Sequence, residues 1–124
     1  MVEEDIKYTE NHDWVKVEGR TVTVGITDYA QKELGDIVFV ELPDMGEEFS
    51  KGDEMVVIES VKSVSDVEAP VSGKVTDVNE SLEAEPENIN ESPFGSGWLV
   101  EMDLNDESEL DSLMSEADYE DFKD

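Results

Sequence analysis

Apolar and polar residues alternate through residues 14–17 and 21–24, on either side of Glu18, Gly19 and Arg20. This two-residue period around a glycine predicts a β-hairpin. Thr27 follows where a helix N-cap belongs, Asp28 suits the positive helix end, and Gly35 supplies a stop, so a two-turn helix is predicted over residues 28–34. Apolar clusters at 38–42, 55–58 and 98–102 are separated by Gly and Pro, the punctuation of short strands. From residue 36 to 103 the pattern looks duplicated. Strand 38–42, acidic turn 46–49 and strand 55–59 form one pass, and segments 73–78, 80–85 and 97–101 repeat the order. Two such passes predict two small antiparallel sheets packed face to face on a shared core. Residues 86–89, opening with Pro86, predict a helical turn in a longer second pass. Beyond residue 106, Leu110, Leu113, Met114, Ala117 and Tyr119 are spaced to allow one apolar helical stripe. A terminal helix over 106–124 is predicted, capped by Ser108 or Asp106 and fraying after Tyr119, where carboxylates oppose the helix dipole. An acidic, partly disordered tail is the competing reading.

Composition changes this picture in two ways. The chain has 124 residues, the length of one domain, so residues 1–124 are expected to share a single core. It also carries 35 acidic against eight basic residues, a formal charge of -27, with 37% hydrophobic residues. Low hydrophobicity with high charge is the signature of disorder, but the ordered apolar clusters oppose that and leave a folded domain with an anionic coat. Such a coat repels phosphate backbones and anionic lipid, so no nucleic acid and no membrane surface is expected as a partner. Acids spread along the whole chain read as halophilic adaptation, because screening shortens to roughly 3 Å at 1 M salt. Absence of cysteine excludes disulfides and thiolate chemistry. The acidic start of the chain and the lack of any long apolar stretch lead to the expectation of a soluble, unexported, cytoplasmic protein.

Catalytic constellations are scarce. The only histidine, His12, has Asp13 beside it, but neighbours in a strand point to opposite faces, and no serine sits in a nucleophile elbow. Gly95-Ser96-Gly97 lacks the third glycine and the context of a dinucleotide loop, and no phosphate loop is present. With acids everywhere, carboxylate pairs carry no information about glycosidase chemistry. Residues 103–107 imitate the start of a calcium loop without its glycine, so no metal site is expected. The informative segment is 59–66, between a strand ending at Ile58 and another at 67–69, which places Lys62 at a tight hairpin apex. A lysine at a sheet edge is often only solubilising. In a lysine-poor chain, however, one flanked by Val61 and Val64 is unusual, and an apex gives its amine access for covalent modification. Trp14 and Trp98 are expected in the core, and Gly46 and Gly73 in turns between strands.

At this point the chain resembles the H protein of the glycine cleavage system. Glu59-Ser60-Val61-Lys62-Ser63 matches the lipoyl-attachment box, and similarity extends over roughly residues 7–103, through His12-Asp13-Trp14, Leu34-Gly35-Asp36, Ala69-Pro70-Val71-Ser72-Gly73 and Gly97-Trp98-Leu99. Lipoyl domains resemble one another in a glycine sixteen positions before and eleven after the modified lysine, where Gly46 and Gly73 stand. Biotin carriers are similar but place methionines around the lysine, and 2-oxoacid dehydrogenase lipoyl domains more often read Asp-Lys-Ala. Ser63 replaces the commoner Ala, and Asp13 replaces Glu. The resemblance implies a lipoyl-domain-like barrel-sandwich hybrid, mainly β, with a lipoyl core at 36–103, an N-terminal hairpin, a short helix and a C-terminal helix. It implies lipoic acid attached to Lys62 as an amide, Glu59 in recognition by the lipoylating enzyme, and Asp13 in docking of the loaded arm through negative charge. The chain is then a carrier rather than an enzyme. Its expected partners are a pyridoxal-phosphate glycine decarboxylase, an aminomethyltransferase that passes the one-carbon unit to tetrahydrofolate, and dihydrolipoamide dehydrogenase. A lipoyl donor or relay in lipoate assembly is the alternative, and an orphan module with an unmodified lysine a third reading.

Overall fold

A computed structural model describes residues 5–123. Residues 1–4, part of the acidic start, and Asp124, the end of the expected tail, lie outside the described residues. The chain opens with a three-stranded meander, β1 (Asp5–Tyr8), β2 (Asp13–Glu18) and β3 (Thr21–Ile26). Gly19 takes a left-handed φ of 64° in the β2–β3 turn, and Glu18 pairs with Thr21, so the predicted hairpin has a two-residue loop. Helix α1 (Asp28–Leu34) follows as its caps predict. The Thr27 hydroxyl accepts from Ala30 N, and Gly35, at φ 80°, donates to Gln31 O. Then come β4 (Ile37–Glu41), β5 (Glu48–Phe49), β6 (Glu54–Ser60), β7 (Val64–Glu68) and β8 (Gly73–Val78). The short helices α2 (Ser81–Ala84) and α3 (Asn88–Glu91), the strand β9 (Val100–Leu104), a 3-10 turn over Glu107–Ser112 and helix α4 (Glu116–Lys123) complete the described chain.

The strands form two antiparallel sheets, ordered β1-β2-β3-β9-β8-β5 and β4-β6-β7. One is larger than the expected small sheet, because the N-terminal meander joins the core sheet through β3 and β9. Inward residues of both sheets, among them Val22, Val24, Val100 and Met102 facing Val40, Val56 and Ile58, share one core and are almost wholly buried. β5, from the first pass of the sequence pattern, pairs with β8 of the second, while α2 of the second packs against β4 of the first.

Several local expectations change. β7 starts at Val64, three residues before the expected strand, because Ser65 and Asp66 continue the ladder with Ile58 and Val57. β9 starts two residues later than expected, since Trp98 closes a turn onto Gly95 O; Trp98 is only half-buried, whereas Trp14 is fully buried. Gly73 serves no turn: it is a strand residue between β5 and β9, where an added Cβ would meet Asp103 O at 2.5 Å. Gly46, at φ 87°, does sit in a turn. His12 is not a strand residue but the last residue of the β1–β2 turn, so alternation does not separate it from Asp13.

The expected terminal helix is two helical pieces. Asp106 caps the first by accepting from Ser108 N, which leaves Asp106 rather than Ser108 as the cap. The break comes at Met114, whose N–H and C=O both bond to Tyr8 at 2.8 Å, so the backbone there is committed to β1. The second piece does not fray at Tyr119. It continues to Lys123, which pairs with Glu120 near the negative end, and Tyr119 is buried by stacking on Tyr8. With Trp14, these rings form a second apolar cluster on the outer face of the large sheet, which explains why consecutive residues of β2 are buried.

Candidate functional site

The β6–β7 hairpin closes on three residues, Val61, Lys62 and Ser63, tighter than the expected gap. Ser60 gathers this loop: its N–H donates to Ser63 O at 2.8 Å, and its hydroxyl accepts from the amides of Lys62 and Ser63 at 3.2 and 3.1 Å. The tip does not project freely. Val61 N donates to Asp36 O at 3.0 Å, so the loop rests on the link between α1 and β4. The Lys62 stem crosses Gly35, where an added Cβ would stand 2.9 Å from Lys62 Cε. Asn90 of α3 holds that ledge from behind. Its amide donates to Gly35 O and Gln31 Oε1, and its carbonyl accepts from Ile37 N, each at 2.9 Å.

Lys62 is exposed, and around it Val61 and Val64 are exposed by 66% and 64%, an apolar collar that folding alone does not require. Glu59 pairs across the sheet with Phe39 on one side and Val64 on the other, so the acid stands between two exposed apolar side chains at the base of the tip. The other lysines considered for modification sit differently. Lys51 donates to the Ser112 hydroxyl at 2.6 Å, and Lys74 lies in β8, between β5 and β9.

A cleft of about 320 Å³ begins at Leu34, beside Gly35, and is lined by Ser65, Asp66 and Glu68 of β7 and by His12 and Asp13. A second cleft of about 320 Å³ shares Asp13 and Glu68 and extends to Lys51 and Met114. Asn11 spans the boundary, donating to Glu68 Oε1 at 3.2 Å. Asp13 lies at the floor of both, only 3% exposed. Burial pushes its carboxyl up to about 8, the charge of Glu68 adds to the rise, and a hydrogen bond with Thr9 opposes it. Burial thus favours the neutral acid over the expected anion in the free protein. His12 is held below its ordinary value, chiefly by burial.

Lys62 and Glu59 thus sit at the tip of the small sheet, and Asp13 lies at the far end of the cleft that runs along β7 from Leu34. Sequence reasoning missed Ser60 as the loop's organiser and took Gly35 only as a helix stop. It missed Asn90 entirely, because the backbone groups that Asn90 holds lie more than 50 residues away. The donor set suits a lipoyl group: an accessible primary amine at a fixed apex, next to a cleft with apolar walls at Leu34 and Ile58 and polar groups at its far end.

Two facing antiparallel sheets with a lysine at the tip of one hairpin define a lipoyl-domain-like carrier. A glycine cleavage H-protein family model matches residues 6–124. The chain is 52% identical over 120 residues to the glycine cleavage system H protein of Carboxydothermus hydrogenoformans, covering 97% of this chain and 92% of that one. It is 57% identical over 118 residues to that of Staphylococcus haemolyticus, with coverage of 95% and 94%. A relative in Haloarcula marismortui is 55% identical over 120 residues, with coverage of 97% and 94%. The crystal structure of a glycine cleavage system H protein from Mycobacterium marinum superposes with a TM-score of 0.87 at 35% identity, covering 98% of each chain. The chain belongs to the glycine cleavage H-protein family.

Proposed function

We propose that this chain is the carrier that shuttles the aminomethyl group of glycine between glycine decarboxylase and aminomethyltransferase, with lipoic acid attached to Lys62 as an amide. The observation that carries this reading is the seating of Lys62: an exposed amine on a three-residue loop that Ser60, Asp36 and Gly35 hold in one place. Bound there, the lipoyl group supplies the sulfur redox and group-carrying chemistry that a cysteine-free chain lacks.

The chain's own residues do the rest. The ledge formed by Gly35 and Asp36 orients Lys62 without covering it, and the valine collar with Glu59 gives the lipoylating enzyme a surface that distinguishes Lys62 from Lys51 and Lys74. The cleft from Leu34 to Asp13 shelters a returning arm from water. Asp13, buried and near its own pKa at mildly alkaline pH, can yield its proton to meet a cationic amine with a carboxylate in a poorly hydrated site. No group on this chain needs to act as a catalyst, which makes it a non-catalytic component; dihydrolipoamide dehydrogenase is the third enzyme partner.

Reconstitution tests the assignment. The lipoylated chain, added to purified glycine decarboxylase, should support exchange of the glycine carboxyl with labelled bicarbonate, and the unlipoylated chain should not. Absence of exchange, with efficient transfer of the lipoyl group to a 2-oxoacid dehydrogenase domain, would establish the lipoate relay instead.

The acidic coat fits a salt-adapted cytoplasm, a reading supported by the charge of -27 and by the Haloarcula relative. No helix among the described residues is long and apolar enough to cross a membrane. Lowering salt from 1 M to about 0.01 M lengthens the screening distance from about 3 Å to about 30 Å, so carboxylates repel across the whole molecule. The urea midpoint should therefore rise steadily with potassium chloride. A midpoint independent of salt would overturn the halophilic reading.

A further inference from the structure

His12 has a backbone φ of 67°, the only left-handed non-glycine among the described residues, and it immediately precedes Asp13. A histidine pays for that conformation unless its surroundings hold it, and such strain gathers where a neighbouring side chain must be aimed. Here a closed ring of hydrogen bonds does the holding. The Thr27 hydroxyl donates to His12 O at 2.9 Å, so its single proton is used. Tyr119 Oη, 3.1 Å from that hydroxyl, must then be the donor between them. With its own proton spent, Tyr119 Oη accepts from His12 Nδ1 at 2.7 Å, which fixes the imidazole tautomer and closes the ring on the same residue. Thr27 N adds a further bond to His12 O at 3.0 Å.

We propose that Tyr119 of the C-terminal helix is a positioning residue, whose hydroxyl locks the left-handed turn at His12 and thereby holds the Asp13 carboxyl at the floor of the cleft that adjoins Lys62. This rests on the reading of Asp13 as the group that meets the loaded arm. Tyr119 is 3% exposed and stacks on Tyr8 with ring centroids 4.7 Å apart, so its hydroxyl is presented from a fixed base. The His12 ring is sandwiched on its other side by Tyr29 at 4.3 Å. The turn is tied at its far end as well, by Thr9 N to Asp13 O at 3.0 Å and Asp13 N to Thr9 Oγ1 at 3.1 Å. Relaxation of His12 is therefore transmitted to Asp13 rather than absorbed in the loop. The charged groups around the lock are Glu33 and Lys123 towards His12, Asp28, Glu116 and Glu120 with Lys123 around Tyr119, and Glu10, Asp66 and Glu68 with Lys51 around Asp13. The function of α4 is thus to brace the docking cleft and not only to cover the large sheet.

The test compares Tyr119→Phe, which keeps the stacking and deletes the hydroxyl, with His12→Gly, which removes the same bond from its other end and accepts the left-handed φ without strain of its own. The titration of the Asp13 carboxyl is followed by carbon-detected NMR in the unmodified protein, and the release of methylamine from the loaded arm is measured separately, both in high salt. In each variant the Asp13 midpoint should fall towards the ordinary carboxylate range by about one pH unit, and methylamine release should accelerate roughly three- to tenfold, the range one hydrogen bond commands. The double variant should change little beyond either single one. A wild-type Asp13 titration in Tyr119→Phe overturns the positioning role, as do fully additive effects in the double variant. Asp13→Asn separates the two ideas. Wild-type release in Asp13→Asn removes Asp13 from arm docking, while the titration alone still decides whether Tyr119 holds it.

Discussion

Replacing Lys62 by Arg should abolish lipoylation and, with it, every glycine-dependent turnover in the reconstituted system. Arginine keeps the positive charge and the long stem that crosses Gly35, so the ledge and the local field are preserved. It lacks only an amine that loses a proton to become the amide nitrogen. The loss should therefore be complete rather than graded, and peptide mass mapping after incubation with lipoylating enzyme should find Lys51 and Lys74 unmodified in both proteins. Their settings explain why: Lys51 is engaged by Ser112, and Lys74 is flanked by strands on both sides. A lipoylated Lys51 or Lys74, or normal turnover in Lys62→Arg, would sink the assignment.

Asp13→Asn should stabilise the fold at neutral and alkaline pH, by an amount that grows as pH rises towards 8 and is constant above it. The folded-state carboxyl titrates near 8, against 3.8 for the ordinary group, because burial disfavours its charged form. Between those values the unfolded chain gives up the proton that the folded chain keeps, so stability falls with rising pH. Below pH 4 both states are protonated and the residue contributes no pH dependence. Above pH 8 both are ionised and the penalty is constant. Each pH unit inside the window removes about 1.4 kcal/mol at full separation. The amide does not titrate, though it brings an extra N–H to satisfy, and water entering the cleft softens the penalty. A gain of about 2–4 kcal/mol at pH 8, vanishing at pH 4, is expected from paired urea titrations in high salt, where the other carboxylates cancel in the difference. Equal pH dependence in the two proteins would show that Asp13 titrates in the native state at its ordinary value. With arm docking, the same substitution then exchanges activity for stability, as buried functional acids do.

How far the sequence alone reaches is clearest at the two ends of the cleft. At the Lys62 end the hairpin apex was legible because the signals are local. Strand residues on both sides pair in register, the gap between them sets a hairpin, and an exposed lysine at an apex needs no distant partner to be recognised. The chemistry proposed for that lysine rests on the family resemblance, because no spacing shows it. At the Asp13 end the residue was proposed for arm docking, but its burial was not legible. As one acid among 35 it carried no mark in composition, and the upward push on its carboxyl follows from a burial that only the assembled strands and turn provide.

The same division runs through the fold. By itself the sequence determined the β2–β3 hairpin, helix α1 with Thr27 and Gly35 at its ends, the sheet-on-sheet class and the position of the lysine tip. Each depends on periodicity or on backbone preferences within a few residues. Only the tertiary structure decided that the C-terminal segment breaks at Met114, that Gly73 is a close strand contact, that Asn90 supports the tip and that His12 leaves the strand for a left-handed turn. All four are settled by groups far away in the chain: Tyr8 taking both backbone bonds of Met114, Asp103 pressing on Gly73, Gly35 and Ile37 meeting Asn90, and Tyr119 with Thr27 closing on His12. A backbone bond or a buried polar group must be satisfied wherever its partner arrives, and that partner is set by packing rather than by neighbours in sequence.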